Sequence, residues 1–577
     1  MISRSRIFLG TIIVLALILR LGALDRYPAG FNADEANQGY SAYSLLQTGK
    51  DEWGETLPLS PRTFGDYKAP LYTYLTVPSI ALFGLNVFAT RLPAAILGTL
   101  TVLITYLLVI SLFDHTAMSM PKLKEKVWLN GNVIGLVAAL LLAISPWHVQ
   151  LSRGAFEANL PSFFIPLGWW AFEAGLVKRR WMILSALSFG LGLFAYHSAK
   201  FVIPIAITLL FFAHRQFFQR FNLKIILSRY LFSLGIFSIF LLVALGTTFF
   251  GASTRAADVA IFSPTGGWQA AFDLRYDGAL LGEPALLGKL FWNKLTYIGS
   301  LFIGNYLSYF SVQFLFTQGP GEATYGMAPG IGVLYLFELA FLVSAIFKIT
   351  KLGLIKTYPF WILVALILIT PIPAALTKGP GLAANRLAIM MPFIQILSAF
   401  GGISLFYKLS QVLGKNLNIL AITVIVIASL TSFVDRYFYH SPIVVAPHMS
   451  YGWDKAAQYL GLVSPNYEKI IVSHEFSEPQ IFIGFFLKED PVFFQQQSKK
   501  WLQYEISGLK FVDQLGEYSL GKYEFRRINY PSDSRGDNIL LVGKEEELPL
   551  DKNILKQINY PDGKPAIRIS KSGLGVL

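Results

Sequence analysis

The segment 7-IFLGTIIVLALILRLGAL-24 is followed almost at once by 31-FNADEANQGYSAYSLLQTGKDEWGE-55. The first is an apolar run of 18 residues. As a helix it is about long enough to cross a hydrocarbon layer roughly 30 Å thick. The second carries two adjacent carboxylates, Asp34 and Glu35, just past the point where such a helix leaves the membrane. The run has no Ala-x-Ala-type cleavage site and many similar runs follow it, so it reads as an uncleaved first span.

The composition agrees. Of 577 residues only 14% are charged and 54% are hydrophobic, whereas a soluble globular chain carries about 25% charged residues. The mean hydropathy is +0.51. The chain is therefore read as an integral membrane protein. Its net charge of +13 is first a topology signal and second a hint of anionic partners. No nucleic-acid partner is expected. With no cysteine in the chain, disulfides, Cys-ligated zinc and thiol catalysis are excluded.

Apolar runs recur at about 7–24, 88–112, 133–150, 160–177, 181–196, 201–213, 230–250, 331–347, 359–373, 387–406 and 417–434, giving about eleven spans. With the N-terminus placed in the cytoplasm, the inner segments hold 17 basic residues, from Arg4 to Lys415, opposed by Asp114 and Glu125. Every alternate connection is basic, which sets the orientation. An odd number of spans puts the C-terminus outside. The localisation expected is the plasma (inner) membrane, multi-pass.

Three outer pieces stand out. Within the loop 25–87, 70-PLYTYLTVPSIALFG-84 is short and Pro-bounded, and reads as an interfacial or re-entrant helix. The loop 251–330 is rich in Gly and aromatic residues. The tail turns to strand-like runs such as 469-KIIVS-473 and 538-NILLVG-543, with a turn signal at Pro561-Asp562-Gly563. The fold class expected is mainly α: a polytopic membrane domain over 1–434, then a small α/β extracytoplasmic domain over 435–577. His474-Glu475 in the tail reads as a strand end.

The outer connections collect the polar residues with chemistry to offer. They are Asp34 and Glu35, then Asp66, Tyr67 and Lys68 in 65-GDYKAPLY-72, then Arg91. His148, Arg153, Glu157 and Asn159 follow in 145-SPWHVQLSRGAFEANLP-161, and Tyr196, His197 and Lys200 in 195-AYHSAKF-201. Lys378 and Arg386 close the set in 371-PIPAALTKGPGLAANR-386. Each Lys or Arg alone is as well explained as a head-group anchor. Their convergence on one side suits a lipid phosphate or diphosphate. A carboxylate beside them suits a general base for an attacking hydroxyl. Adjacent carboxylates do not both ionise cheaply in a low-dielectric site. One division has Asp34 as base and Glu35 as orienter, cation partner or metal ligand. Both also fit the first turn of a helix starting near Ala36, where the dipole favours acids.

The Asp-Glu pair after the first span, then "GDYKAPLY", then 83-FGLNVFATRLPAAILGTLTVLITYLL-108, resembles the GT-C glycosyltransferases. Among these it is similar to the protein O-mannosyltransferases and the lipid A aminoarabinose transferases. The resemblance covers roughly 1–435. It implies transfer of one sugar, with inversion, from a polyprenyl-phosphate donor to an acceptor lipid, glycan or protein on the outer face. It implies Asp34 as the acceptor-activating base and Lys68 facing the carrier phosphate, although Ala69 stands where the family's Lys-Pro-Pro motif has its first Pro. Arg91 matches the arginine of an Arg-Leu-Pro segment, and Arg153, Lys200 and Arg386 join the phosphate set by location. Asp66, Tyr67, Tyr196 and His197 are further site candidates. Some relatives bind a divalent metal, for which Glu35, His148 and His197 are the candidate ligands. The Trp-Trp-Asp motif of oligosaccharyltransferases is not matched, since Trp169-Trp170 precedes Ala171, which argues against en bloc transfer. The rival reading is a transporter or flippase of a polyprenyl-linked saccharide. The chain lacks the paired, broken half-helices that reading favours.

Overall fold

The structure is a computed structural model that describes residues 4–119, 130–219, 223–249, 261–262, 267–377, 384–551 and 553–573. The expected inner-loop residues Lys122, Lys124, Glu125, Lys126 and Arg220, and Lys378 on the outer side, lie outside them. The fold is mainly helical with one small mixed sheet.

Each of the eleven apolar runs carries a helix. Among the described residues, 6 helices are long and apolar enough to cross a membrane: Val87–Phe113, Glu157–Val177, Ser228–Thr248, Tyr358–Ala375, Phe393–Leu413 and Lys415–His448. The others fall short for local reasons. Arg4–Leu21 contains three arginines. The 133–150 run breaks at Ser145, where Gly131–Ile144 ends and Pro146 starts a new turn, Pro146–Leu151, because Pro supplies no backbone donor to continue the ladder. The 331–347 run becomes helical only at Phe337.

The interfacial segment is a helix of 13 residues, Leu71–Phe83. At 1.5 Å per residue it is about 20 Å long, short of a full crossing. The 251–330 region is more ordered than a loop, with helices Gly267–Leu280, Ala285–Phe291 and Lys294–Ser308 among its described residues. Leu280 and Leu295 on these helices are exposed.

The last long helix runs through the expected boundary, continuing in helical turns to His448. A sheet follows, in the order β2-β3-β1-β4-β6-β5. Its strands are β1 (Lys469–Val472), β2 (Glu517–Leu520), β3 (Tyr523–Arg526), β4 (Ile539–Gly543), β5 (Ile554–Asn559) and β6 (Pro565–Lys571). β1 pairs in parallel with β3 and β4, and the outer pairs are antiparallel. Ile470, Ile471 and Val472 are all buried, which is the unbroken apolar pattern of a strand covered on both faces.

The tail's core does not stop at the tail. Phe31, Ala36, Tyr40, Trp53 and Phe64 from the first outer loop share one buried cluster with Trp453, Phe482, Phe485, Trp501 and Phe525. The Pro479–Leu487 helix packs on the Ala33–Thr48 helix so closely that a Cβ at Gly39 would lie 2.5 Å from the Phe485 ring. The helix that begins with the two carboxylates is therefore gripped from behind by residues more than four hundred positions later in the chain.

Candidate functional site

The Ala33–Thr48 helix starts on a capping box. The Asn32 side chain accepts from the Glu35 backbone N–H at 2.9 Å, and Glu35 Oε2 accepts from the Asn32 N–H at 3.4 Å. The helix begins at Ala33, earlier than the expected Ala36. Successive helical residues point about 100° apart, so Asp34 and Glu35 face different surroundings.

Glu35 points inward. Its two oxygens meet Arg91 Nε and Nη2, each at 2.8 Å, with both side chains fully buried. The Glu35 Oε1 atom also accepts from the Ala155 N–H at 2.8 Å. Arg91 donates further to the carbonyls of Leu24, Pro28 and Gly30. A guanidinium has five N–H groups, and these partners occupy all of Arg91's. Arg153 is used likewise, donating to the carbonyls of Leu19, Gly22, Ala23 and Tyr27 beneath the rings of Tyr437 and Phe438. Arg91 and Arg153 thus tie the chain leaving the first helix to the second and third runs. Of the expected phosphate set, these two do not line the cavity described below.

Asp34 points outward, into a cavity of about 590 Å³. Lys68 Nζ lies 2.8 Å from Asp34 Oδ1, with Asp34 47% exposed and Lys68 only 8%. Lys68 sits on a tight turn in which Thr63 N–H donates to Asp66 O at 2.7 Å and Lys68 N–H to Pro61 O at 2.9 Å. Burial works against its charge, but Asp34, Glu157 and Asp66 more than offset this, and the ammonium titrates above the usual lysine range. Asp66, Tyr67, Tyr196, His197, Lys200 and Arg386 line the same cavity. His197 Nε2 is 3.2 Å from Tyr67 O, Lys200 Nζ is 2.9 Å from Thr248 Oγ1, and Arg386 is hydrogen-bonded to Tyr196. Phe201, which follows Lys200 in the chain, and Phe262, Pro373 and Leu376 give the same cavity an apolar lining.

His148 is elsewhere. It is buried, with Nδ1 2.7 Å from Arg20 Nη2. Arginine only donates, so Nδ1 accepts and the ring is neutral with its proton on Nε2. Arg20 also donates to the carbonyls of Leu142 and Ala143, capping the broken helix. Glu35, His148 and His197 do not meet. Among the described residues no group of three His, Asp or Glu side chains is placed to hold a metal ion. The expected ligands Glu35, His148 and His197 do not fit a metal.

Two lining residues escape a reading of the chain as a string. Glu157 was visible only as one polar residue of a span exit. Its Oε2 accepts from Gln38 Nε2 at 3.0 Å, and Gln38 Oε1 accepts from the Thr73 hydroxyl. Tyr325 comes from the 251–330 region and carries no local signal; the fold alone brings it to Asp34.

No family model and no curated protein sequence matches the chain. Solved structures do. The chain is similar to ArnT from Cupriavidus metallidurans at 11% identity and a TM-score of 0.48, over 98% of each chain. It is similar to the Archaeoglobus fulgidus oligosaccharyltransferase, in a complex with Zn and sulfate, at 16% identity and a TM-score of 0.46 over 83% of this chain. The match spans 61% of that longer protein. It is similar to the S. cerevisiae protein O-mannosyltransferase Pmt1-Pmt2 complex, bound to the sugar donor, at 18% identity and a TM-score of 0.32, over 45% of this chain and 36% of that one. All three are GT-C glycosyltransferases. At these identities the likeness is one of chain path.

Proposed function

We propose that the protein is an integral-membrane, inverting glycosyltransferase that moves a single sugar from a polyprenyl-phosphate carrier to an acceptor hydroxyl on the extracytoplasmic face. The observation that carries this reading is one cavity whose lining combines Asp34 and Lys68 with the cations Lys200 and Arg386 and with apolar side chains.

The chemistry follows from that lining. The carrier's hydrocarbon lies along Phe201, Pro373 and Leu376, which places its phosphate between Lys200, Arg386 and Lys68. The acceptor enters on the Asp34 side. Asp34 takes the hydroxyl proton as the acceptor oxygen attacks the anomeric carbon. The bond from that carbon to the phosphate oxygen breaks in line, which inverts the centre. Polyprenyl phosphate leaves with the electron pair, and the fixed cations stabilise its charge. Lys68, 2.8 Å from the Asp34 carboxylate, aims it and also faces the phosphate. Glu35 and Arg91 fix the helix start from which Asp34 projects.

The cavity is built from helix ends and loops, whereas a flippase needs a path through helix middles. The test is transfer of radiolabelled sugar from a polyprenyl-phosphate donor in reconstituted membranes. Wild type transfers and Asp34→Asn does not. Lipid-linked sugar that moves across liposomes without any transfer overturns the reading.

A further inference from the structure

The turn that carries Asp66, Tyr67 and Lys68 touches more than the cavity. Its outer side is held by the tail. Arg62 at its start forms an ion pair with Glu505 and donates to Tyr504 Oη at 3.3 Å, while the Tyr504 hydroxyl donates to Glu505 Oε1 at 3.0 Å. The Arg62 guanidinium also lies 5.2 Å from the Tyr67 ring centre and 5.8 Å from that of Trp53. Arg62 and Tyr67 pair across the turn as a single antiparallel bridge. Further along, Val512 N–H donates to Phe64 O at 3.1 Å. At Gly65 the backbone runs so close to the tail that a Cβ there would lie 2.0 Å from Lys510 O, at a φ of +143°.

We infer that Arg62 is a positioning residue through which the tail segment 504–512 sets the place of Lys68 in the donor site. An isolated, exposed ion pair is worth little, because solvent and side-chain entropy erode it. Arg62 differs in two respects. It is fixed between two aromatic faces, which orient a planar guanidinium, and its partner across the turn, Tyr67, adjoins Lys68. A lysine head group follows small displacements of its turn, and a displaced ammonium loses part of its charged contact with the donor phosphate in ground and transition state alike. The tail then contributes to donor binding without touching the donor. This rests on the function proposed above.

The experiment is chosen so that the two ideas fail separately. Arg62→Ala is expected to raise the donor KM about tenfold, with kcat within about threefold, the pattern of lost binding common to ground and transition states. Glu505→Gln, on the half-exposed partner, shifts KM the same way by less, and Arg62→Lys restores part of the loss. A second readout needs no activity. The chain has no cysteine, so Ser60→Cys, partly exposed at the start of the turn and outside the cavity lining, reports on the turn. Adding Arg62→Ala should quicken its thiol labelling several-fold. Unchanged labelling and unchanged donor KM in both Arg62→Ala and Glu505→Gln overturn the inference. Quickened labelling in a chain that transfers no sugar overturns the proposed function and leaves the clamp standing.

Discussion

Asp34 and Glu35 are neighbours in sequence with opposite fates. Glu35 is sealed in a bidentate pair with Arg91, with neither side chain exposed. Asp34 is paired with Lys68 at the same distance, yet nearly half exposed to a cavity. The cations differ as much as the acids. All of Arg91's donors are spent on the protein, whereas Lys68 holds its charge among acids at a cavity wall. A buried pair with every group satisfied serves architecture. A pair with one open face is free to do chemistry.

The comparison predicts a clean separation under mutation. Asp34→Asn should lower transfer by at least a hundredfold, about the contribution of a positioned general base, while the detergent-solubilised protein melts close to wild type. Glu35→Gln should do the reverse. It leaves the Arg91 charge buried without its counter-charge, and breaking such a pair costs about 3–5 kcal/mol. The expected result is poor recovery and a lowered melting temperature, with near-normal transfer from whatever fraction folds. A stable, inactive Glu35→Gln would break the comparison. Next in size are the other cations lining the cavity. Arg386→Ala and Lys200→Ala should each raise the donor KM about tenfold, the worth of one charged hydrogen bond, and leave melting unchanged. Arg153→Ala should leave KM alone and reduce stability.

What could be read beforehand divides along the same line. Depth was legible. Charge alternation and span exits put Lys68, Tyr196, His197, Lys200 and Arg386 on one side, and one cavity collects them. Direction was not. Whether an arginine at a span exit faces lipid phosphate or folds back on carbonyls depends on which side of its helix packs. Arg91, Arg153 and Lys68 look alike as letters. The shared core was equally hidden. Nothing in 31-FNADEANQGY-40 announces Phe485 as its packing partner, and the expected boundary after 434 separates residues that the core joins. Tyr325 and Glu157 reach the cavity for the same long-range reason.

A second adjacent acid pair in the same loop sharpens the contrast and gives the smallest effect. Glu52 is buried, and accepts from Asn37 Nδ2 at 2.5 Å and Ser41 Oγ at 3.0 Å. Burial and then Asp51 push its pKa up to about 8, against Ser41, Lys68 and Asn37. Burial also pushes Asp51 up, to about 6. Unfolded, the two titrate near 4.3 and 3.9. The folded chain therefore holds protons that the unfolded chain has released, so stability falls as pH rises through this window. Asp51 contributes a slope from about pH 4 to 6 and Glu52 from about pH 4 to 8. Between pH 6 and 8 Glu52 alone of the pair remains, at no more than about 1.4 kcal/mol per pH unit. Glu52→Gln preserves both hydrogen bonds, with the amide oxygen accepting from Asn37 and the amide nitrogen donating to Ser41. Between pH 6 and 8 the variant's melting temperature should fall less steeply than that of wild type, by a few degrees over the window, and both should slope below pH 6. Parallel wild-type and variant curves above pH 6 would mean that Glu52 ionises freely in place, and that this acid pair, like Asp34, has an open face.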